Sequence, residues 1–337
     1  MLYVTTRNNR DAYTVHRVLS EGRGADGGLY LPFRMPAFSD AELDALLEKP
    51  FNRCVAEILN LLFQTELTGW DVDFAVGRYP VRLENLRHRI LMGECWHNPD
   101  GDFTRVRRNL AACLQAKTDV PGNWCDIAVG IAVLFGVFGM LRRDGIDKAD
   151  IAVVSGDFSV PISAWYARQW GLPVGNIVCC CNENKNLWDL ICHGQMRTDT
   201  ISISTDIPEA DVILPENLER LIFACGGTEE VERYLTACRQ GSTYSVSDSL
   251  LNKLRNGLFV SVVSSQRIQT AIPSVYRTHG YLLSPASALV YSGLLDYRAK
   301  TGNTGHGIVL AEKSPLCEET LVARCMGMNA EALRELL

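Results

Sequence analysis

Several common signatures are missing from this 337-residue chain. No Cys-x-x-Cys pair occurs among its twelve cysteines, and no basic stripe interrupts a net charge of −6. No pattern of Ser-His-Asp, His-Glu-x-x-His or Walker type is present. The first absence removes the paired spacing of a zinc site and leaves Cys95-Trp96-His97 and Cys192-His193 as isolated neighbours. The second argues against nucleic acid as a partner. The opening MLYVTTRNNRD has no apolar signal region, so the expected compartment is the cytoplasm. There the cysteines, including the triplet Cys179-Cys180-Cys181, stay reduced and act as small core hydrophobes. Lysine is scarce, with seven residues at 49, 117, 148, 185, 253, 300 and 313. Internal repeats and low-complexity tracts are also absent.

What is present is ordinary globular composition, 47% hydrophobic and 21% charged, enough for one large or two medium domains. The most apolar run, Ile127–Leu141, is short for a membrane span of ~20 residues and contains three glycines. A helix apolar on every face reads as a core or subunit-interface helix, and no membrane association is expected. Ser39 and Glu42 form a capping box ahead of an amphipathic helix, and Val55–Phe63 is a second one. These give an α-rich lead-in over residues 1–90, and 91–122 reads as a turn-rich join. Beyond it, strands are expected at 151–154, 176–181, 258–264 and 307–311. Helices are expected near 124–142, 161–170, 215–225, 229–240, 247–256 and 285–300. Ser247 and Ser284-Pro285 supply helix starts, and Gly257 a helix end. Strands separated by helices imply an α/β fold, a three-layer parallel sheet covered on both faces.

Ligands of such sheets sit at the C-terminal strand ends. There, Ser155-Gly156-Asp157-Phe158-Ser159 joins the strand Ile151–Val154 to a helix with Pro161 at its first position. A loop of this kind aims backbone N–H groups and a positive helix end at one spot and can hold a phosphate or carboxylate. It can equally be a plain βα turn in which Asp157 bonds the local backbone.

The wording of this segment resembles the cofactor-phosphate loop of the threonine synthase family, fold-type II pyridoxal-phosphate (PLP) enzymes. The family pattern is Thr-Gly-Asn-Phe-Gly, a Tyr-Ala-x-x-x-Gly-Leu-Pro helix and an Asn-Glu-Asn strand end. Further matches follow in the family's order. They are LYVTTR at 2–7, Asp26-Gly27-Gly28-Leu29-Tyr30-Leu31-Pro32, Asn123-Trp124, and Asn217-Leu218-Glu219-Arg220-Leu221. Glu94-Cys95-Trp96-His97-Asn98-Pro99 is similar to Glu-Leu-Phe-His-Gly-Pro, after which the family carries the lysine that forms the Schiff base with PLP. Here Asp100-Gly101-Asp102-Phe103 follows at once and resembles a later family segment. About 100 residues, the size of a small domain, are thus expected to be missing, together with the lysine and a substrate-gripping loop.

The resemblance implies the large domain of a fold-type II (tryptophan synthase beta-like) PLP enzyme with most of the small domain deleted. It divides the chain into an N-terminal helical region, 1–100, and an α/β domain, 101–337. The family reaction converts O-phosphohomoserine and water to threonine and phosphate. Three of its parts are absent or altered. The expectation is therefore a degenerate homologue with no catalytic residue of its own, PLP not covalently bound, and a role in binding or assembly. A residual enzyme of amino-acid metabolism that binds PLP or a phosphorylated metabolite is the alternative. A non-catalytic partner subunit is another. The candidate cofactor contacts are Ser155, Gly156, Asp157, Phe158, Ser159 and Glu312. Glu312 stands where the family places the Thr that bonds the pyridine nitrogen, and a carboxylate there can face a protonated pyridine. Asp157 replaces an Asn of the family, and at ~4 Å it repels a like charge by about 4 kcal/mol. Ser159 replaces a Gly where backbone approach is close. Lys185 and Lys313, at strand ends, are the remaining amines, though an exposed lysine is protonated and a poor nucleophile. A small anionic metabolite is a possible partner. A homo-oligomer, most simply a dimer, is expected to cover the sheet face left by the lost domain and the Ile127–Leu141 run.

Overall fold

The computed structural model describes residues 1–77 and 81–336. Strands β1 (Leu2–Thr5), β2 (Tyr13–Thr14) and β3 (Tyr30–Pro32) form a small antiparallel sheet in the order β2-β1-β3. The principal sheet takes β4 (Arg82–Asn85), β5 (Ile90–Glu94), β6 (Ala149–Val154) and β7 (Val174–Cys181). After the short pair β8 (Gln195–Arg197) and β9 (Thr243–Ser245), it is completed by β10 (Leu258–Val262) and β11 (Gly307–Ala311). Its order is β10-β7-β6-β11-β5-β4. All neighbours are parallel except the hairpin β4–β5.

Alternation along these strands separates two cores. Ile151, Val153, Cys179 and Cys181 face one side, while Ala152, Val178 and Cys180 face the other. A fully buried parallel strand needs apolar residues on both faces, which is why three consecutive cysteines fit β7. The first layer includes the helices Phe51–Phe63, Trp124–Arg143 and Ser159–Gln169, and the second Ser265–His279 and Pro285–Thr301. The expected α/β sheet covered on both faces is therefore present.

Trp124–Arg143 is the one described helix long and apolar enough to cross a membrane, and most of it is buried inside the chain. Asn123 caps it, accepting from Asp126 N at 3.0 Å. A Cβ on Gly136 would lie 2.5 Å from the Phe51 ring, and one on Gly139 would lie 2.7 Å from Leu47 O. The glycines thus let neighbouring elements approach closely. Burial of this helix and cover on both sheet faces are achieved within one chain, so neither calls for a second copy.

Several boundaries differ from the sequence reading. The lead-in is not only helical, because it carries β1–β3. The segment 91–122 is not a bare join, since β5 and the helix Phe103–Cys113 fall within it. The principal sheet also crosses residue 100, with β4 and β5 before it and the other strands after it. The helix placed at 161–170 begins at Ser159, leaving Pro161 in its first turn, where a missing N–H is tolerated. The expected helices 215–225 and 229–240 are both present within Leu218–Gln240, separated by a non-helical break at Gly227 with φ 75°. β10 stops at Val262 because Ser264 caps the next helix. The caps at Ser39, Ser247 and Ser284 are as expected.

Candidate functional site

The strands β5, β6, β7 and β11 end together at one pole of the sheet. There the loop Ser155–Ser159 turns back on itself. Phe158 N donates to Ser155 O at 2.9 Å, and Phe158, with φ 68°, buries its ring completely. The Asp157 carboxylate accepts from Ser159 N at 2.9 Å and from Asn217 Nδ2 at 3.2 Å. Asn217 N in turn donates to Asp157 O at 2.9 Å. The backbone donor that would face an anion at the helix start is thus taken by the chain's own carboxylate. Ser159 is buried, and its carbonyl accepts from Ser163 Oγ at 2.8 Å.

Glu312, immediately after β11, pairs with Arg107 Nη2. Arg107 belongs to the helix Phe103–Cys113, and its guanidinium lies 4.9 Å from the Phe103 ring centroid. The chain reaches this helix from β5 by the short segment 95–102. Phe103 N donates to Glu312 O at 2.8 Å, and Asp102 bridges to Lys313. The helix start is therefore laid over the end of β11. Arg107 also feels Asp126 and Asp157. Burial raises the Glu312 carboxyl above its ordinary range, against the pull of Arg107. Asp126 is raised for the same reason.

The two strand-end lysines are both occupied. Lys313 reaches Glu209 at 3.2 Å and Glu318 at 3.4 Å. Burial works against its charge, but these carboxylates outweigh it and hold its pKa above the ordinary value. Lys185 is half exposed and pairs with Asp189 at 2.7 Å.

The stretches that carried the family resemblance meet in space. Glu219 accepts from Thr6 Oγ1 and from Arg7 Nη2 at 3.0 Å. Thr5 Oγ1 donates to Asp26 Oδ2 at 2.6 Å. Fully buried Arg220 donates to Asn217 Oδ1, and its Nη2 reaches Tyr30 O at 2.9 Å and Gly122 O at 2.8 Å. Burial lowers its pKa to about 10. Arg220 and Asn217 thereby link the N-terminal sheet to Asp157.

Residues 2–76 match the family described as Threonine synthase N terminus. The Threonine synthase of Pseudomonas aeruginosa is 29% identical over 235 residues, covering 65% of this chain and 50% of that protein. This chain is similar to threonine synthases. Human Threonine synthase-like 1 is 26% identical over 144 residues, covering 42% of this chain and 19% of its own length. The chain thus spans half or less of the length of these curated relatives. Among solved structures, PLP-bound Threonine synthase from Brucella melitensis superposes with a TM-score of 0.86 at 19% identity, over 97% of this chain and 92% of that one. Threonine Synthase from Yeast gives 0.85 at 16% identity, over 99% and 93%. The fold is that of fold-type II PLP enzymes.

The residues present do not fit a covalently held PLP. A phosphate dianion at Ser155–Ser159 would have to displace Asp157 from Ser159 N and then lie beside its carboxylate. Glu312 is committed to Arg107, and Lys313 is tied into an ion pair that keeps its amine protonated. Sequence reading named Glu312 and the loop as candidates but not Arg107, Asn217 as a partner of Asp157, or Glu209.

Proposed function

We propose that this threonine synthase-like chain is a non-catalytic homologue that forms no PLP Schiff base. The carrying observation is the Arg107–Glu312 pair, which stands at the strand end where the family resemblance puts the pyridine-binding residue. The self-capped Asp157 loop and the direct passage from Glu94 to Phe103 support the same reading, as does the absence of any lysine between them. On this reading, the family's conversion of O-phosphohomoserine to threonine and phosphate is lost, and the small domain that would carry the lysine is reduced to residues 95–102. All twelve cysteines are unpaired, which suits a cytoplasmic protein.

Borohydride reduction after incubation with PLP, followed by peptide mapping, tests this. The expected result is scattered, substoichiometric labelling. One dominant modified lysine, at Lys313 or Lys185, would overturn the proposal.

A further inference from the structure

The pole of the sheet opposite the candidate site carries a cluster of cations in an otherwise acidic protein. Parallel strands place the starts of β5 and β11 side by side. The β4–β5 turn supplies Arg87, His88 and Arg89, all exposed, and His306 directly precedes β11. Arg298 comes from the helix Pro285–Thr301, and His279 ends the helix Ser265–His279.

Arg298 fixes the arrangement. Its Nη1 donates to His88 O at 2.7 Å, and its Nη2 to Arg89 O at 3.1 Å and Gly305 O at 2.6 Å. Gly307 N also donates to Arg89 O, at 3.0 Å. The turn is held with His88 at φ 62° and Arg89 at φ 57°, a left-handed conformation unfavourable for side chains of this kind. Among the described residues, Arg87, Arg89 and Arg298 form no ion pair within 4.0 Å. Asp150 faces Arg298, but it is buried and accepts from Asn176 N at 2.7 Å and Asn303 Nδ2 at 3.0 Å. The cations act on one another. His279 is held below its ordinary pKa by burial, then by Arg87 and His88, and His306 by burial, then by Arg89 and Arg298.

Cations in the last turn of a helix complement its dipole, which accounts for Arg298 and His279. It does not account for Arg87 and Arg89, which sit on a hairpin turn. Arg89 lines a cavity of about 570 Å³ together with His88, Arg298, Gly302, Asn303 and Thr304. That size suits a small ligand. Cations converging on a cleft, with Arg89 free of any ion pair within 4.0 Å, favour a multiply charged anion. We propose that this pole binds a small ligand carrying two or more phosphate groups. The cluster is compact and surrounded by a net-acidic protein, so an extended nucleic acid is disfavoured.

Calorimetry of the full chain with pyrophosphate and with inorganic phosphate tests this. One pyrophosphate site is expected, at least about tenfold tighter than phosphate because several cations engage it together. The double variant Arg87→Gln/Arg89→Gln should lose about tenfold or more of that affinity. On the unaltered protein, the imidazole proton resonances of His88 and His306 should shift on pyrophosphate titration, a readout that does not depend on the variants folding. Equal binding of the two anions, binding indifferent to the double variant, or imidazole resonances that stay in place would each overturn the proposal. So would retention of an RNA oligomer that pyrophosphate fails to displace.

Discussion

Arg107 and Glu312 lie 205 residues apart in sequence and meet at the end of β11. Neither is more than about a third exposed, so removing one leaves the other poorly solvated. Arg107→Ala is expected to destabilise the fold by about 1–3 kcal/mol, read from urea unfolding. Adding Glu312→Leu should recover most of that loss, because no charge is then stranded. A double variant no more stable than Arg107→Ala would show that the pair matters only through Arg107. Asp157 and Glu312 were legible as candidates because they stand in recognisable stretches. Arg107 was not, because nothing in Phe103–Cys113 says which strand end that helix will cover. The cations at the opposite pole were hidden for a related reason. They come from four separate segments, and no stretch of sequence is basic enough to announce them.

Individual elements were legible where a single physical signal dominates. β6, β7 and β11 are short β-branched or apolar runs with clear turns at their ends. Ser39, Ser247 and Ser284 cap helices by side-chain acceptance from the first-turn backbone. β5 was missed because Gly93 cuts its apolar run to the three residues Ile90–Met92. The helix Asn186–His193 was missed because it is only eight residues long and no side chain caps its start. The helix Trp124–Arg143 was recognised, but its burial inside one chain depends on close approaches that composition does not reveal. Gly136→Val would drive a side chain into the Phe51 ring. Its expected cost is about 1–3 kcal/mol as overpacking, read as a lowered denaturation midpoint with an unchanged slope. An unchanged midpoint would mean that the Phe51–Phe63 helix can move aside freely.

Across the whole molecule, the resemblance carried the fold because its parts are structural as well as functional. The stretches around Thr6-Arg7, Asp26 and Asn217–Arg220 bond to one another and tie the N-terminal sheet to the loop after β6. Such a network can persist when chemistry is lost, since it holds elements together whatever lies at the strand ends. The division at residue 100 was less legible, because a sheet assembled from both sides of a sequence boundary gives no compositional sign of it. The central claim concerns chemistry, and the most direct measurement is phosphate release. Purified protein, supplied with PLP and O-phosphohomoserine, is predicted to release no phosphate above a protein-free control. Sustained, PLP-dependent release that scales with protein concentration would contradict the account.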